Sequence, residues 1–156
     1  MQESSHNLSQ DSIFGRIRHD ALASFSDVIH GSENSLFFIV SSASLEESAQ
    51  NALTASAQRL GYSTKQLAFI VLNKQTTPND LLHIIEAIDP LCVVITDLAA
   101  VKTASAAFNV PLALETREFL LGRGCCCFES FESMLESEEG KQKAWACLKT
   151  LPPLKR

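Results

Sequence analysis

Asn73 and Asp97 each close an apolar run, the position from which an open α/β sheet presents side chains to a ligand. An amide there can read the edge of a base, and a carboxylate can act as a general base or stabilise a developing cation. The commoner uses are plainer: an Asn bonds its own turn and an Asp caps the next helix. Ser41, Ser42 and Ser44 follow another apolar run and could offer hydroxyls and helix N-terminal amides to an anion. That loop lacks glycine, which leaves a phosphate little room near the backbone, so turn and cap are the expected roles. Arg123, between Gly122 and Gly124, carries the charge to meet an acidic partner or a phosphate, although a solvated turn is its commoner use.

Cys125, Cys126 and Cys127 invite a metal or redox reading. A metal needs converging thiolates, whereas neighbours on a strand point to opposite faces. The triplet is therefore expected to be buried and inert, with Cys126 facing away from its two neighbours. No metal, no cofactor and no disulfide framework are expected.

These residues must be positioned by the elements between them. Leu67–Leu72 and Cys92–Ile95 are short continuous apolar runs, as in strands covered on both faces. Between them Thr77-Pro78 opens a helix whose apolar residues Leu82, Ile85 and Ile88 recur at helical spacing until Asp89-Pro90. Strand, helix and strand form a βαβ unit, expected to be parallel. Upstream, residues 1–10 are polar and expected to be frayed. A helix is expected over 11–30, with Phe14, Ile17, Ala21, Phe25 and Val28 on one face. Leu36–Val40 is a further strand, and Ser44 and Glu47 have the spacing of a capping box before the next helix. Downstream, an alanine-rich helix follows Asp97, Leu112–Leu114 reads as a short extended segment, and Glu118–Leu121 is ambiguous. The Cys125–Phe128 run is the fourth strand, and a last helix runs from about Glu138 to Leu148. The expected fold is one three-layer α/β/α domain. Strands near 36–40, 67–72, 91–96 and 125–128 should form a central four-stranded parallel sheet in order 2-1-3-4.

The 156 residues carry a formal charge of −5, against the basic patches that duplex DNA binding requires. No apolar run reaches the ~20 residues that span a bilayer, and the N-terminus lacks a signal-peptide layout, so a cytoplasmic protein is expected.

Over roughly residues 36–151 this layout resembles the uracil-DNA glycosylase superfamily. One stretch carrying the likeness is Phe69-Ile70-Val71-Leu72-Asn73-Lys74 with Thr77-Pro78, Ile88, Asp89-Pro90 and Val93-Val94-Ile95. The other is Met134-Leu135, Lys141, Trp145 and Leu148, similar to the family's "L-L-x-x-x-x-x-K-x-x-x-W-x-x-L" tail. The resemblance implies that Asn73 would read a base edge. It also implies a catalytic residue in the loop after the first strand and a histidine before the Leu-Leu. Here Ser41–Leu45 and Ser130 stand at those places, and the segment that stacks on a flipped base has no counterpart. All four histidines, His6, His19, His30 and His83, lie upstream of Ser130. A second resemblance, at Leu135 and Ala144-Trp145, is to psi subunits of bacterial clamp loaders, glycosylase-like proteins without catalysis.

The resulting expectation is a non-catalytic binding domain whose partner is a protein or a small ligand. Its candidate crevice would hold Ser42, Asn73, Asp97, Ser130 and Arg123, with Ser42, Asn73 and Ser130 converging at the carboxyl ends of the strands. The competing readings are a divergent glycosylase using Asn73, Asp97 and Ser42, and a flavodoxin-like nucleotide binder without the usual Gly-rich loop.

Overall fold

The computed structural model describes residues 13–154. The segment 1–10, with its expected fraying, lies outside the described residues. Helix α1 covers residues 13–22 and ends in a 3-10 turn at Ala23–Phe25. The chain continues through β1 (Ile29–Gly31), β2 (Phe37–Ser41), α2 (Glu47–Arg59) and β3 (Leu67–Val71). Then come α3 (Pro78–Ile88), β4 (Cys92–Ile95), α4 (Leu98–Phe108) and β5 (Arg117–Leu120). Strand β6 (Arg123–Cys127) is followed by α5 (Phe131–Met134) and α6 (Glu138–Leu148).

The molecule is α/β, with one mixed six-stranded sheet in the order β1-β3-β2-β4-β6-β5 and helices on both faces. Strands β3, β2, β4 and β6 pair in parallel, with Phe38 opposite Ala68 and Val93, and Val94 opposite Cys126. The expected four-stranded, wholly parallel sheet is corrected at both edges: β1 and β5 add antiparallel strands against β3 and β6. The helix expected over 11–30 stops at residue 22, because Ile29–Gly31 is drawn into backbone pairing with Ala68–Ile70. The ambiguous Glu118–Leu121 segment supplies most of β5, and the segment around Leu112 is loop.

The period-two alternation of β2 and β4 sorts the core into two halves. Phe38, Val40, Val93 and Ile95 meet Leu81, Ile84 and Ile85 of α3 and Ala100 and Ala104 of α4. Phe37, Ile39, Cys92 and Val94 meet Ala49, Leu53 and Ala57 of α2 and Ala144 and Leu148 of α6. All eight strand residues are fully buried, which is why both strands read as unbroken apolar runs.

Strand β1 tests this edge. Gly31 has φ +136°, and a Cβ added there would lie 2.7 Å from the Leu67 carbonyl oxygen and 2.8 Å from Ala68 Cα. Both the backbone region and the clash oppose any side chain. Gly31→Ala should lower unfolding free energy by about 2 kcal/mol in urea denaturation, with β1 amides losing hydrogen-exchange protection first.

Candidate functional site

The carboxyl edge of the parallel strands is laced by backbone contacts before any side chain acts. Thr96 N donates to Val40 O at 3.0 Å, Phe128 N to Ile95 O at 2.8 Å, and Phe131 N to Thr96 O at 2.9 Å. Asp97 and Ser130 form an isolated antiparallel bridge, so the chain leaving β6 folds over the start of α4.

Asp97 is the N-cap of α4, and its Oδ1 accepts the Ala100 N–H at 2.9 Å. Its Oδ2 accepts the N–H of Ser42 at 2.8 Å. One half-buried carboxylate thus joins the turn after β2 to the helix after β4. These two strands are adjacent, and their connections leave toward opposite ends of the sheet, so this is the topological switch point. In related architectures a ligand would occupy that place, and here the side chain provides its negative charge.

The other helix starts at this edge are also served from within. Thr77 and Asp80 form a reciprocal capping box on α3. Ser130 Oγ accepts the Ser133 N–H at 3.2 Å on α5 and donates to Ser133 Oγ at 3.0 Å. Ser137 caps α6 through the Gly140 N–H. Helix α2 is the exception to the sequence expectation: its N-cap residue is Glu46, and no side chain of the proposed Ser44–Glu47 box caps it. The Glu46 N–H instead donates to Glu132 Oε2 at 2.7 Å, from a residue 86 positions away. Glu132 belongs to the run Glu129, Glu132, Glu136, Glu138 and Glu139, which sequence reasoning assigns to a solvated face. No local signal marks it as a cap.

Of the candidate residues, Ser42, Asp97 and Ser130 share this edge: Asp97 bonds the Ser42 backbone and bridges Ser130. Asn73 turns elsewhere. Its Oδ1 accepts from Gln75 N at 2.8 Å and from Thr76 Oγ1 at 3.0 Å, and its Nδ2 donates to Asp27 at 3.2 Å. Asn73 lines a hollow of about 190 Å³ with Asp27 and Asp80, whereas Ser130 lines one of about 430 Å³ with Glu115, Glu129 and Met134. The expected single crevice is therefore divided, because the side chain of Asn73 closes its own turn. Arg123 is misplaced more simply. It opens β6 and so stands at the amino end of that strand, where its guanidinium donates to Asp89 Oδ1 at 2.7 Å.

Chemically, the edge offers a carboxylate committed to two N–H donors and serine hydroxyls without a base. His30, on β1, lines a hollow of about 290 Å³ with Ser41 and Ser44, a juxtaposition sequence reasoning missed. No hydrogen bond among the described residues joins its ring to either hydroxyl.

The five cysteines are all buried. Cys125 and Cys127 enter one half of the core with their sulfurs 3.8 Å apart, while Cys126 enters the other and donates to Cys147 O at 3.3 Å. Among the described residues, no three His, Cys, Asp or Glu side chains are grouped to hold a metal ion. The Cys125 thiol is held well above its usual range by its hydrogen bond with Cys127 and by burial. Cys126 is raised by hydrogen bonding with Cys147 and by burial, and burial pushes Cys92 up to about 11. No helix among the described residues is long and apolar enough to cross a membrane. Comparison of the sequence with protein-family models and with curated proteins finds no match.

Two outcomes follow from this geometry. Asp97→Ala strands two backbone donors and should cost about 2–3 kcal/mol in chemical denaturation. Asp97→Asn should cost about half as much, since one amide oxygen can still accept. Labelling of Cys92, Cys125 and Cys126 in the native protein should be slow at about pH 7 and climb by about tenfold per pH unit toward about pH 9, since the thiolate is the reacting form and these pKa values lie higher. All five thiols should react promptly in denaturant.

Proposed function

We propose that this chain is a non-catalytic interaction domain on a glycosylase-like α/β/α scaffold, engaging a protein partner through its helical surface. The observation that carries this reading is the occupation of the carboxyl edge by the protein's own groups: Asp97 bridges β2 and α4, and Glu132 caps α2. A glycosylase needs that edge open to admit a flipped base, and needs a group free to stabilise the sugar cation. The inner strand order β3-β2-β4-β6 supports the scaffold assignment, being the 2-1-3-4 order of the four apolar runs in the sequence.

Further support comes from the residues standing where catalysis would be expected. Ser42 contributes its backbone N–H to Asp97, Ser130 is spent on Ser133, and Asn73 bonds its own turn. A serine hydroxyl cannot ionise at neutral pH to serve as the missing acid or base. Exposed glutamates at positions 129, 136, 138 and 139 make the adjoining surface repel a phosphate backbone, which favours a protein over duplex DNA.

The test is excision of uracil from single- and double-stranded DNA. The purified protein should release no more base than a blank, and the double variant Ser42→Asp/Ser130→His should do no better, since Asn73 opens to a different hollow. Turnover by the unmodified protein that co-purifies with the folded chain would contradict the proposal.

A further inference from the structure

The two helical layers are finished differently. On one face α3 packs directly against α4. On the other, α2 and α6 stand apart and leave a groove of about 540 Å³. Its floor is apolar, with Ala52, Phe131, Leu135 and Leu148, and Trp145 forms part of its wall. Trp145 is half-buried and is held by the Arg59 guanidinium, 4.0 Å above its ring. At one end the groove is bordered by acids: Glu47 precedes the lining residue Ser48, Glu136 follows Leu135, and Glu138 reaches lining Lys141 at 3.3 Å. All three glutamates are exposed.

Helix α1 presents the complementary surface. Ile13, Phe14 and Ile17 fall on one stripe at i, i+1 and i+4, and they are 54%, 68% and 63% exposed. Arg16 flanks the stripe on one side, and on the other Arg18 donates to Asn34 Oδ1 of its own molecule. Within its own molecule α1 is anchored by Leu22, which packs into the half of the core shared with α3 and α4. The groove lies on the opposite face of the sheet, against α2 and α6. A copy therefore cannot fill its own groove with its own α1.

We infer that the occupant of the α2/α6 groove is helix α1 of a second copy of this chain, with Ile13, Phe14 and Ile17 on the apolar floor and Arg16 toward Glu47 and Glu136. This deepens the interaction-domain reading and rests on it. It is a helix-in-groove contact, in which the anchors are the i, i+1 and i+4 side chains and the charges set orientation. Gly15 sits inside α1 with open space around its Cβ position, so the helix is weaker than its sequence could make it.

Trp145 is the chain's single tryptophan and reports directly on the groove. Sedimentation velocity of the full-length protein, from about 1 µM to about 300 µM, should show concentration-dependent association in the micromolar range. The association should weaken as salt rises. Phe14→Asp and Ile17→Asp should each weaken it by at least about tenfold. Asn51→Arg, an exposed lining position of α2, should do the same from the other side. All three variants should keep the far-ultraviolet spectrum of the parent, since none of the three positions is buried. A synthetic peptide of residues 11–24 should change Trp145 emission saturably, and the Gly15→Ala peptide should bind more tightly. A protein that stays monomeric throughout this range, or a Trp145 signal blind to the peptide, would overturn the inference. Either failure would leave the uracil-excision result untouched, whereas measurable excision would overturn the interaction-domain reading whatever the sedimentation showed.

Discussion

A parallel sheet brings the N-terminus of each following helix to one edge, and each arrives with backbone N–H donors that the helix itself cannot satisfy. Enzymes and nucleotide-binding proteins of this general architecture leave some of those donors for a ligand. In this chain the Asp97 carboxylate takes one from α4 and another from the turn after β2, across the switch point. Glu132 does the same for α2 from a distant part of the chain. The edge becomes a structural seam. These contacts hold the connections on the two sides of the switch point together.

That surface is asymmetric for a reason already present in the core. Helices α3 and α4 meet because small residues of α4, Ala100 and Ala104, allow close approach over Val93 and Ile95. On the other face, Phe128 and Phe131 stack edge to face at 5.3 Å and raise the floor between α2 and α6. The helices stand on either side of that aromatic pair, and Arg59 reaching to Trp145 is a contact that spans the gap. The groove is thus a by-product of two bulky side chains, Phe128 just past β6 and Phe131 at the start of α5.

Much of the scaffold was legible in the sequence. Strands β2, β3, β4 and β6 are covered on both sides, and burial on both sides leaves uninterrupted apolar runs. Strands β1 and β5 were not legible. Ile29-His30-Gly31 is three residues long, and Arg117-Glu118-Phe119-Leu120 runs charged, charged, apolar, apolar without alternation, so tertiary pairing decides both. For the site, Asp97 as a cap and Asn73 bonding its own turn followed from local chemistry. The bridge from Asp97 to Ser42 did not, since it joins residues 55 positions apart. Arg123 was assigned to the wrong edge because a residue at the start of a parallel strand lies a full strand length from the turns that follow it. The Ser44 capping box failed for a different reason: Glu132, a charged group brought in by the fold, took the place of the local hydroxyl.

At the carboxyl edge the Ser42 and Ala100 amides are held by Asp97 and the Glu46 amide by Glu132. The most direct test of these contacts is a two-dimensional amide NMR titration of the folded protein with inorganic phosphate, uracil and a short uracil-containing oligonucleotide. The account predicts that the Ser42, Glu46 and Ala100 amide resonances stay in place through each titration, held by the carboxylates that already bind them. A saturable shift centred on those three amides would contradict it, since it would show that a ligand can displace Asp97 or Glu132 and reopen the crevice.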